Sequence, residues 1–311
     1  MKIVFLDVKT IGEDIDLSGF EQLGEVVTYS FTSSKEAPER VKDADVIILN
    51  KVQINEDTIG TAEHLKLVCV TATGTNNLDK DYLDSKGIAW RNVAGYSTAS
   101  VTQHTFALLF YLLEKLPYYD KYVKEERYVN DVIFTHFGEV FHELTGKTFG
   151  IIGLGEIGRN VATIAKLFGA NVIYYSASGG EPQEGFTQVD FDTLLTTSDV
   201  LSVHAPLNES TEGLMNKAAF AKMKSTAIFL NLGRGPIVVE EDLTEALENG
   251  VIAAAGLDVL AVEPMQESCP YLRIKDSQKL IITPHIAWAS VEARNRLMSM
   301  ILQQVQDFSL S

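Results

Sequence analysis

Four charged or titratable residues in the last third of the chain stand at or just beyond the ends of apolar runs. Arg234 follows "FLNLG", Asp258 ends "AAAGLD", Glu263 lies five residues further on, and His285 follows "LIITP". In parallel α/β sheets the ligand crevice lies at the carboxyl ends of the strands, so these side chains are expected to converge on one pocket. Among these groups, a guanidinium could bind a 2-oxo acid and an imidazole could supply the proton that its reduction needs.

The chemistry assigns each of these groups a role. A 2-oxo acid needs a cation for its carboxylate and carbonyl, and the planar fork of Arg234 binds oxygen pairs bidentately. The oxygen that becomes an alkoxide needs a proton, which His285 can donate because imidazole titrates near neutral pH. Glu263 would orient the His285 ring and stabilise its protonated form. Each residue also has a plain alternative: Arg234 could bind a phosphate or a surface acid, Glu263 could cap a turn, and His285 could be hydrogen-bonded in a core.

A glycine fingerprint precedes these residues, in "GIIGLGEIGRN". It follows an apolar run and opens an amphipathic stretch, which is the strand-to-helix context that dinucleotide binding needs. Gly153 would permit the tight turn, Gly155 would let the backbone approach a pyrophosphate, and Gly158 would let the helix and the strand pack closely. The amides of Glu156 and Ile157 would meet the phosphate charge at the positive end of the helix dipole. The sequence therefore predicts a dinucleotide cofactor.

The next apolar run, "NVIYY", ends at Ser176, where NAD-binding units usually carry a carboxylate for the ribose hydroxyls. The missing carboxylate removes a barrier to NADP, whose additional phosphate it would repel. A phosphate normally requires a cation, however, and the chain has no Lys or Arg from Leu167 to Asn216. Ser176 and Ser178 can hydrogen-bond a hydroxyl or a phosphate, or simply cap a loop. We therefore favour NAD(H) as the cofactor and keep NADP(H) open.

Short β-rich runs alternate with amphipathic stretches along both halves of the chain. The first series is "KIVFL", "EVVTYSF", "DVIIL", "LKLVCV" and "IAWRNV". The second series is "KTFGIIG", "ANVIYYS", "DVLSVHA", "TAIFLNLG", "IAAAGLDV" and "KLIITPH". Such alternation predicts parallel sheets covered by helices. The fold class is therefore α/β with two doubly wound parallel-sheet domains, of which the second has enough strands for dinucleotide binding.

The final amphipathic stretch follows a sheet that is already complete at His285, so it is expected to pack back on the first domain. Its apolar residues at helical spacing are Val291, Leu297, Met300, Ile301 and Val305. The predicted boundaries are residues 1–97 plus 286–311 for a substrate-binding domain and residues 98–285 for a dinucleotide-binding domain.

The composition disfavours several other classes of protein. With 26 Lys and Arg against 42 Asp and Glu, the net charge of −16 and the lack of a basic run argue against nucleic acid and anionic membranes as partners. The longest apolar run, "FALLFYLL", is too short for a membrane span, and the start of the chain does not resemble a signal peptide. A cytoplasmic protein is expected. Cys69 and Cys269 have no metal-ligand spacing, so neither a metal site nor a disulfide is predicted.

Five motifs in chain order, "GLGEIG", "HAPLNEST", "NLGRGPIV", "LDVLAVEP" and "TPHIAWAS", resemble the D-2-hydroxyacid dehydrogenase family. The resemblance implies a flavodoxin-like substrate domain, a Rossmann NAD(P)-binding domain inserted in the middle, and a homodimer formed through the cofactor domains. It also implies a catalytic triad of Arg234, Glu263 and His285, with His285 as acid and base. Asp258 would hold the nicotinamide carboxamide. The other implied cofactor contacts are Thr102, His204, Ala205, Pro206, Thr211, Asn231, Leu232 and Gly233.

Within the family, "NKVQI", "NVAGYSTASVTQHTFAL" and "HIAWAS" most resemble glycerate dehydrogenases, also called hydroxypyruvate reductases. The loop "TATGTNNLD" resembles the family loop whose amides bind the substrate carboxylate, here those of Thr73 and Gly74. Trp288 would form a wall for the substrate side chain, and Lys51 and Tyr96 could reach its hydroxyl end. Trp288 could equally be a core or dimer-contact aromatic, and Lys51 a solvated surface charge.

The expected reaction is NAD(P)H-dependent reduction of a small 2-oxo acid to a D-2-hydroxy acid, with hydroxypyruvate to D-glycerate as the first choice. One alternative keeps the same triad and reduces glyoxylate or a branched or aromatic 2-oxo acid. Another, from a different class, is an NAD(H)-sensing module that recruits a protein partner, as dehydrogenase-like corepressors do. The complete triad favours an enzyme.

Overall fold

The computed structural model describes residues 1–310, which divide into two compact units. The split unit consists of Met1–Ser97 and the chain from Trp288 onward, and the central unit consists of Thr98–Ala287. The second junction lies two residues later than the sequence suggested, because Asp258 of the central unit accepts hydrogen bonds from the amides of Ile286 and Ala287. In the described part of the chain, no helix is long and apolar enough to span a membrane.

The split unit is built on a five-stranded parallel sheet in the order β2-β1-β3-β4-β5. Its strands are β1 (Lys2–Phe5), β2 (Glu25–Thr28), β3 (Val46–Leu49), β4 (Leu67–Val70) and β5 (Ala89–Arg91). Its helices are α1 (Ser18–Glu21), α2 (Ala37–Val41), α3 (Glu56–Ile59), α4 (Lys80–Ser85) and α11 (Val291–Leu310), with a 3₁₀ turn at Val8–Thr10. This strand order is the flavodoxin-like doubly wound order that the resemblance implied.

Every residue of β3 and β4 is buried, as expected for central strands of a parallel sheet with both faces covered. Helix α11 contributes Leu297, Ile301 and Val305 to the core on one face. The sequence also placed Val291 and Met300 in this apolar stripe, but their side chains are exposed. Ala293 and Met298 take the buried positions instead, because the stripe is rotated slightly around the helix.

The central unit is built on a seven-stranded parallel sheet in the order β12-β11-β10-β9-β6-β7-β8. Its strands are β6 (Thr148–Ile152), β7 (Asn171–Tyr175), β8 (Thr187–Gln188), β9 (Val200–Val203), β10 (Ile228–Asn231), β11 (Ala254–Leu257) and β12 (Leu280–Ile282). The order turns back at β6, from which the chain adds β7 and β8 on one side and β9 to β12 on the other. This is the Rossmann order, and the crevice of such sheets lies at that switch point.

The helices of the central unit cover both faces of this sheet. They are α5 (Thr98–Leu113), α6 (Leu116–Lys124), α7 (Glu156–Leu167), α8 (Phe191–Thr197), α9 (Lys217–Phe220) and α10 (Glu240–Glu248), with 3₁₀ turns at Arg127–Asn130, Gly235–Ile237 and Pro270–Arg273. The sequence predicted six strands here, and the seventh, β8, was missed because a two-residue strand carries no periodic pattern. Helix α5 packs against β10, β11 and α7, which places it beneath the strands that precede Arg234 and Asp258.

Candidate active site

The three glycines of the fingerprint have three different surroundings. Gly153 adopts a φ of +90°, and a Cβ there would lie 2.7 Å from the Ala205 backbone, so the turn requires glycine. A Cβ at Gly158 would lie 2.2 Å from the carbonyl oxygen of Gly153, which is the close packing of helix on turn. A Cβ at Gly155 would meet nothing within 4 Å, so this position opens to solvent. The loop therefore leaves free space above Gly155.

Helix α7 starts directly at this open position, with Gly155 as its N-cap and no side chain capping it. The amides of Glu156 and Ile157 lie in the first turn, where backbone N–H groups have no partner within the helix. The helix lays Val161, Ala162 and Ala165 against the sheet, which fixes its axis. The open space and the free amides together fit a phosphate group of a dinucleotide.

The loop that carries His204, Ala205 and Pro206 follows β9, next to Gly153. Burial lowers the pKa of His204 to about 3, so its imidazole is neutral. Its Nε2 lies 2.8 Å from the Ser202 hydroxyl, while its buried Nδ1 has no hydrogen-bond partner among the described residues. Buried polar atoms in proteins usually have a hydrogen-bond partner, and a cofactor bound beside the glycine loop could supply one for this ring nitrogen.

Two of the implied cofactor contacts use their hydroxyls within the protein. Thr211 is buried, and its hydroxyl donates to the Pro206 carbonyl while accepting from the Asn208 amide, so it shapes the loop after β9. Thr102 is also buried, and its hydroxyl donates to the Thr98 carbonyl one turn back in α5. The structure brings neither hydroxyl to the glycine loop.

Ser176 lies at the end of β7, and its hydroxyl lies 3.2 Å from that of Ser178. Arg159, which directly follows the last glycine of the fingerprint, lies before the stretch without Lys or Arg that begins at Leu167. Its guanidinium contacts Gln183 of the loop after Ser178 at 3.2 Å and the Leu154 carbonyl at 3.3 Å. The cation nearest in sequence to the fingerprint is thus tied to the serine loop, a placement that only the folded loop reveals.

Arg234 stands on a tight turn after β10. The Asn231 side chain donates to the Arg234 carbonyl and accepts from the Gly233 amide, so it closes the turn from inside. A Cβ on Gly235 would lie 1.9 Å from the carbonyl of Leu260, so only glycine lets the two loops touch. Leu232 and Gly233 are buried in the same turn. This contact brings the turn of Arg234 against the loop that carries Glu263.

Within the described residues the Arg234 guanidinium makes a single hydrogen bond, to the Gly233 carbonyl at 2.8 Å. A guanidinium has five N–H donors, so most of this fork is available to an external oxygen pair.

Glu263 and His285 form the pair that the sequence suggested. His285 Nδ1 lies 2.7 Å from Glu263 Oε2, and the Leu260 amide donates to Glu263 Oε1 at 2.9 Å. Because the carboxylate accepts on both oxygens, its plane and the imidazole ring are both fixed. The side chains of His285 and Glu263 are 29% and 30% exposed, respectively, so the pair is partly accessible to solvent. His285 has a φ of +54°, a backbone region that non-glycine residues rarely occupy.

Asp258 is buried and holds the segment that contains His285. Its Oδ1 accepts from the Thr283 hydroxyl at 2.6 Å and from the Ile286 amide at 2.9 Å, and its Oδ2 accepts from the Ala287 amide at 2.9 Å. His104, on α5, contacts the Thr283 hydroxyl at 2.9 Å. The sequence linked Asp258 to a cofactor, and the structure adds this support of the backbone around His285, which spacing alone could not reveal.

In the split unit, four of the five predicted substrate residues follow the carboxyl ends of β3, β4 and β5, and the fifth, Trp288, precedes α11. The Lys51 side chain is exposed, and its amide donates to Asp7 Oδ2 at 2.7 Å. Asp7, which the sequence analysis missed, is buried after β1, and the Asn50 amide also donates to it. Burial raises the pKa of Asp7 against the opposing effect of these backbone hydrogen bonds. An acid directly after an apolar run was the available signal.

The loop after β4 carries Thr73 and Gly74. The Thr73 hydroxyl donates to the Val93 carbonyl at 2.9 Å, whereas the amides of Thr73 and Gly74 have no acceptor among residues 1–310. Tyr96 is buried, and its ring lies edge-on to that of Trp288 with centroids 6.2 Å apart. Trp288 packs against the core of the split unit, which agrees with the plain alternative that it is a core aromatic.

Comparisons with known proteins identify the family. Residues 106–287 match the model of the D-isomer specific 2-hydroxyacid dehydrogenase NAD-binding domain. A hydroxypyruvate reductase of Blautia hydrogenotrophica is 38% identical over 99% of this chain and 97% of its own length. A glycerate dehydrogenase of Methylorubrum extorquens is 35% identical over 99% of this chain and 96% of its own length.

Among solved structures, the Aquifex aeolicus D-lactate dehydrogenase complexed with NAD and lactic acid aligns with a TM-score of 0.86. The sequence identity is 27%, and the alignment covers 99% of this chain and 95% of that one. The fold class and the family that the motifs suggested are therefore confirmed, including the Rossmann domain for a nicotinamide cofactor. The chain belongs to the D-isomer specific 2-hydroxyacid dehydrogenase family and is an NAD(P)-dependent oxidoreductase.

Proposed function

We propose that this enzyme reduces hydroxypyruvate to D-glycerate with NADH. The reaction type is supported above all by one observation, the 2.7 Å contact of His285 with Glu263 on a loop that touches the turn of Arg234. The choice of hydroxypyruvate is supported by the names of two relatives that are similar over nearly their whole lengths.

In this mechanism His285 donates the proton to the oxygen that becomes the hydroxyl group. Its Nδ1–H donates to Glu263, so the Nε2–H of the protonated ring is the one that faces the substrate oxygen. The Glu263 carboxylate stabilises the positive charge of that ring before the transfer and holds its orientation throughout. Arg234 binds the carboxylate and the carbonyl oxygen of the substrate through the free N–H groups of its fork.

A bound nicotinamide supplies the hydride that the carbonyl carbon accepts. The residues proposed to hold the dinucleotide are the glycine loop with Glu156 and Ile157 at its phosphates, Ser176 at its ribose, and His204 to Pro206 with Asn231 to Gly233 along its length. Asp258 is proposed to contact the carboxamide through its remaining acceptor capacity. The hydroxyls of Thr102 and Thr211 donate to carbonyls of their own helix and loop. We therefore propose that these two residues act by shaping α5 and the loop after β9, and not through hydroxyl contacts with the cofactor.

From the split unit, the amides of Thr73 and Gly74 are proposed to bind the substrate carboxylate, because they lack acceptors in the protein. Lys51 and Tyr96 are the proposed contacts of the substrate hydroxyl end. Trp288 is proposed to shape this part of the site through its contact with the Tyr96 ring.

We favour NAD(H) over NADP(H) because Ser176 and Ser178 offer hydroxyl groups but no charge. Arg159 reaches the serine loop through Gln183, so a cation that could serve NADP(H) is present close by. Glu181 and Glu184 lie in the same loop and would repel a further phosphate.

We also propose that the enzyme is a homodimer formed through the central unit. The segment 128–141 carries a group of highly exposed apolar side chains, which soluble proteins usually cover. They are Val129 (80%), Val132 (100%), Phe134 (90%), Phe137 (88%) and Val140 (74%). A Phe134→Asp, Phe137→Asp double variant should elute as a monomer in size-exclusion chromatography with light scattering. Phe31→Asp, at an exposed phenylalanine of the split unit, is the matched control and should not change the mass.

The proposed function is tested by initial rates of reduced-cofactor oxidation with hydroxypyruvate, glyoxylate, pyruvate, 2-oxoisocaproate and phenylpyruvate, each with NADH and with NADPH. The highest kcat/KM for hydroxypyruvate with NADH would support the proposal. Preference for glyoxylate or for a branched or aromatic 2-oxo acid would contradict the choice of hydroxypyruvate as the substrate. Preference for NADPH would contradict the choice of NADH as the cofactor. It would indicate that Arg159 binds the additional phosphate of NADPH.

A further inference from the structure

Helix α5 contacts the backbone segment around His285 at two positions one helical turn apart. The Ser100 hydroxyl donates to the Ala287 carbonyl at 2.6 Å, and His104 Nε2 lies 2.9 Å from the Thr283 hydroxyl. Thr283 and Ala287 lie two residues before and two residues after His285. The helix therefore forms hydrogen bonds with this segment on the N-terminal and the C-terminal side of His285.

The hydrogen bonds in this group have a defined direction. Thr283 has one hydroxyl hydrogen, and its short 2.6 Å contact with Asp258 Oδ1 assigns that hydrogen to the carboxylate, which can only accept. The Thr283 oxygen must then accept from His104, so Nε2 of His104 carries a hydrogen. The chain of donors runs from His104 to Thr283 to Asp258, and Asp258 in turn accepts from the amides of Ile286 and Ala287.

His285 needs such support because of its own conformation. Its φ of +54° is one that residues with a Cβ avoid, and such a backbone persists only where the surroundings fix it from several sides. Its ring is partly exposed, so packing alone does not hold it. The amide of His285 donates to the carbonyls of Asp258 and Thr283, the same two residues that His104 supports from α5.

We propose that His104 is a positioning residue for reduction, which holds His285 in its reactive orientation through Thr283 and Asp258. The proposal rests on the proposed function, in which His285 donates the proton. His104 lies 3.7 Å from Asp258 Oδ1 and reaches the His285 segment only through these partners, so it takes no direct part in the proton transfer.

The test compares His104→Gln, whose amide can still donate to Thr283, with His104→Phe, which keeps a ring but has no donor. His104→Phe should lower kcat about tenfold, the effect of one lost hydrogen bond on the barrier, while the Kd of NADH from fluorescence titration changes less than about twofold. His104→Gln should recover most of kcat. Thr283→Val removes the receiving hydroxyl and should reproduce the effect of His104→Phe, and the double variant should be no slower than Thr283→Val alone.

His64→Phe, at an exposed histidine of the split unit, controls for the substitution type and should leave kcat unchanged. Thermal unfolding of each variant separates loss of fold from loss of positioning. Unchanged kcat in His104→Phe, or an equal loss in His104→Gln, would overturn the proposal. His285→Gln in the same assay tests the proposed function separately. If His285→Gln abolishes turnover while His104→Phe leaves kcat unchanged, only the positioning role fails. If His285→Gln leaves turnover intact, the proposed function fails.

Discussion

Replacement of Glu263 by glutamine tests the proposed acid directly, because it removes one charge and almost no volume. In the parent, Oε2 accepts from His285 Nδ1 at 2.7 Å, and Oε1 accepts from the Leu260 amide at 2.9 Å. The glutamine carbonyl can keep the bond to Leu260. Its NH2 group then faces Nδ1, where a protonated imidazole also has an N–H, so donor meets donor and the protonated ring loses its partner.

The size of the effect follows from the kind of hydrogen bond that is lost. A hydrogen bond between charged groups contributes about 1.5–3 kcal/mol, and each 1.4 kcal/mol is about tenfold in rate. The pair is roughly one-third exposed, so solvent screening favours the lower part of that range. We therefore expect Glu263→Gln to lower kcat for hydroxypyruvate by about 10- to 50-fold.

The assay is steady-state oxidation of NADH, combined with a fluorescence titration of NADH binding. The Kd of NADH should stay within about twofold of the parent value, because the substitution changes the proton donor and not the dinucleotide site. Glu267→Gln removes the same charge from an exposed position on the same loop and is the matched control. A kcat of Glu263→Gln that equals that of Glu267→Gln would refute the reasoning that Glu263 stabilises the protonated imidazole.

Three further outcomes are expected. Arg234→Ala should lower kcat/KM for the 2-oxo acid about 100-fold or more with little change in the Kd of NADH, and a normal substrate response would exclude Arg234 from substrate binding. Gly153→Ala should cost about 2 kcal/mol or more in urea unfolding because of its φ of +90°, whereas Gly155→Ala, with open space around it, should mainly weaken NADH binding. The hydrogen bond from Arg294 lowers the pKa of Asp14 below its ordinary value of 3.8, so the stability it adds is present above about pH 4 and lost at lower pH; Asp14→Asn should lower the urea midpoint at pH 7 more than at pH 3.

The pairing of Glu263 with His285 could be anticipated from the sequence because ligand sites of parallel sheets lie at the carboxyl ends of the strands. Glu263 and His285 are 22 residues apart in the chain, yet both follow strands of one parallel sheet, β11 and β12, which are neighbours. Parallel neighbours bring their carboxyl ends to the same edge, so the spacing of apolar runs is enough to bring the two residues together. The glycine loop was foreseeable for a similar reason, since its turn, its helix and its strand are contiguous in sequence.

Contacts that depend on the path of a loop could not be predicted from the spacing of apolar runs. The contact of Arg159 with Gln183 depends on how residues 176–186 return across the start of α7. The hydroxyls of Thr102 and Thr211 match motif positions, but local geometry turns them toward neighbouring carbonyls. The direction of the hydrogen bond from His104 follows only from the full set of partners around Thr283.

Both units place a buried carboxylate within two residues of the end of a parallel strand. Asp7 follows β1 and accepts from the amides of Asn50 and Lys51 after β3, the neighbouring strand. Asp258 follows β11 and accepts from the amides of Ile286 and Ala287 after β12, again the neighbour.

Burying a carboxylate is costly unless several donors compensate it, and loop amides are the donors available at this edge of a parallel sheet. These hydrogen bonds also restrain the loops, because the amides cannot move away without leaving a buried carboxylate unpaired. Each loop is thereby fixed by the cost of leaving its carboxylate unsatisfied. In the central unit the loop fixed in this way begins at His285, whose positive φ requires support from its surroundings.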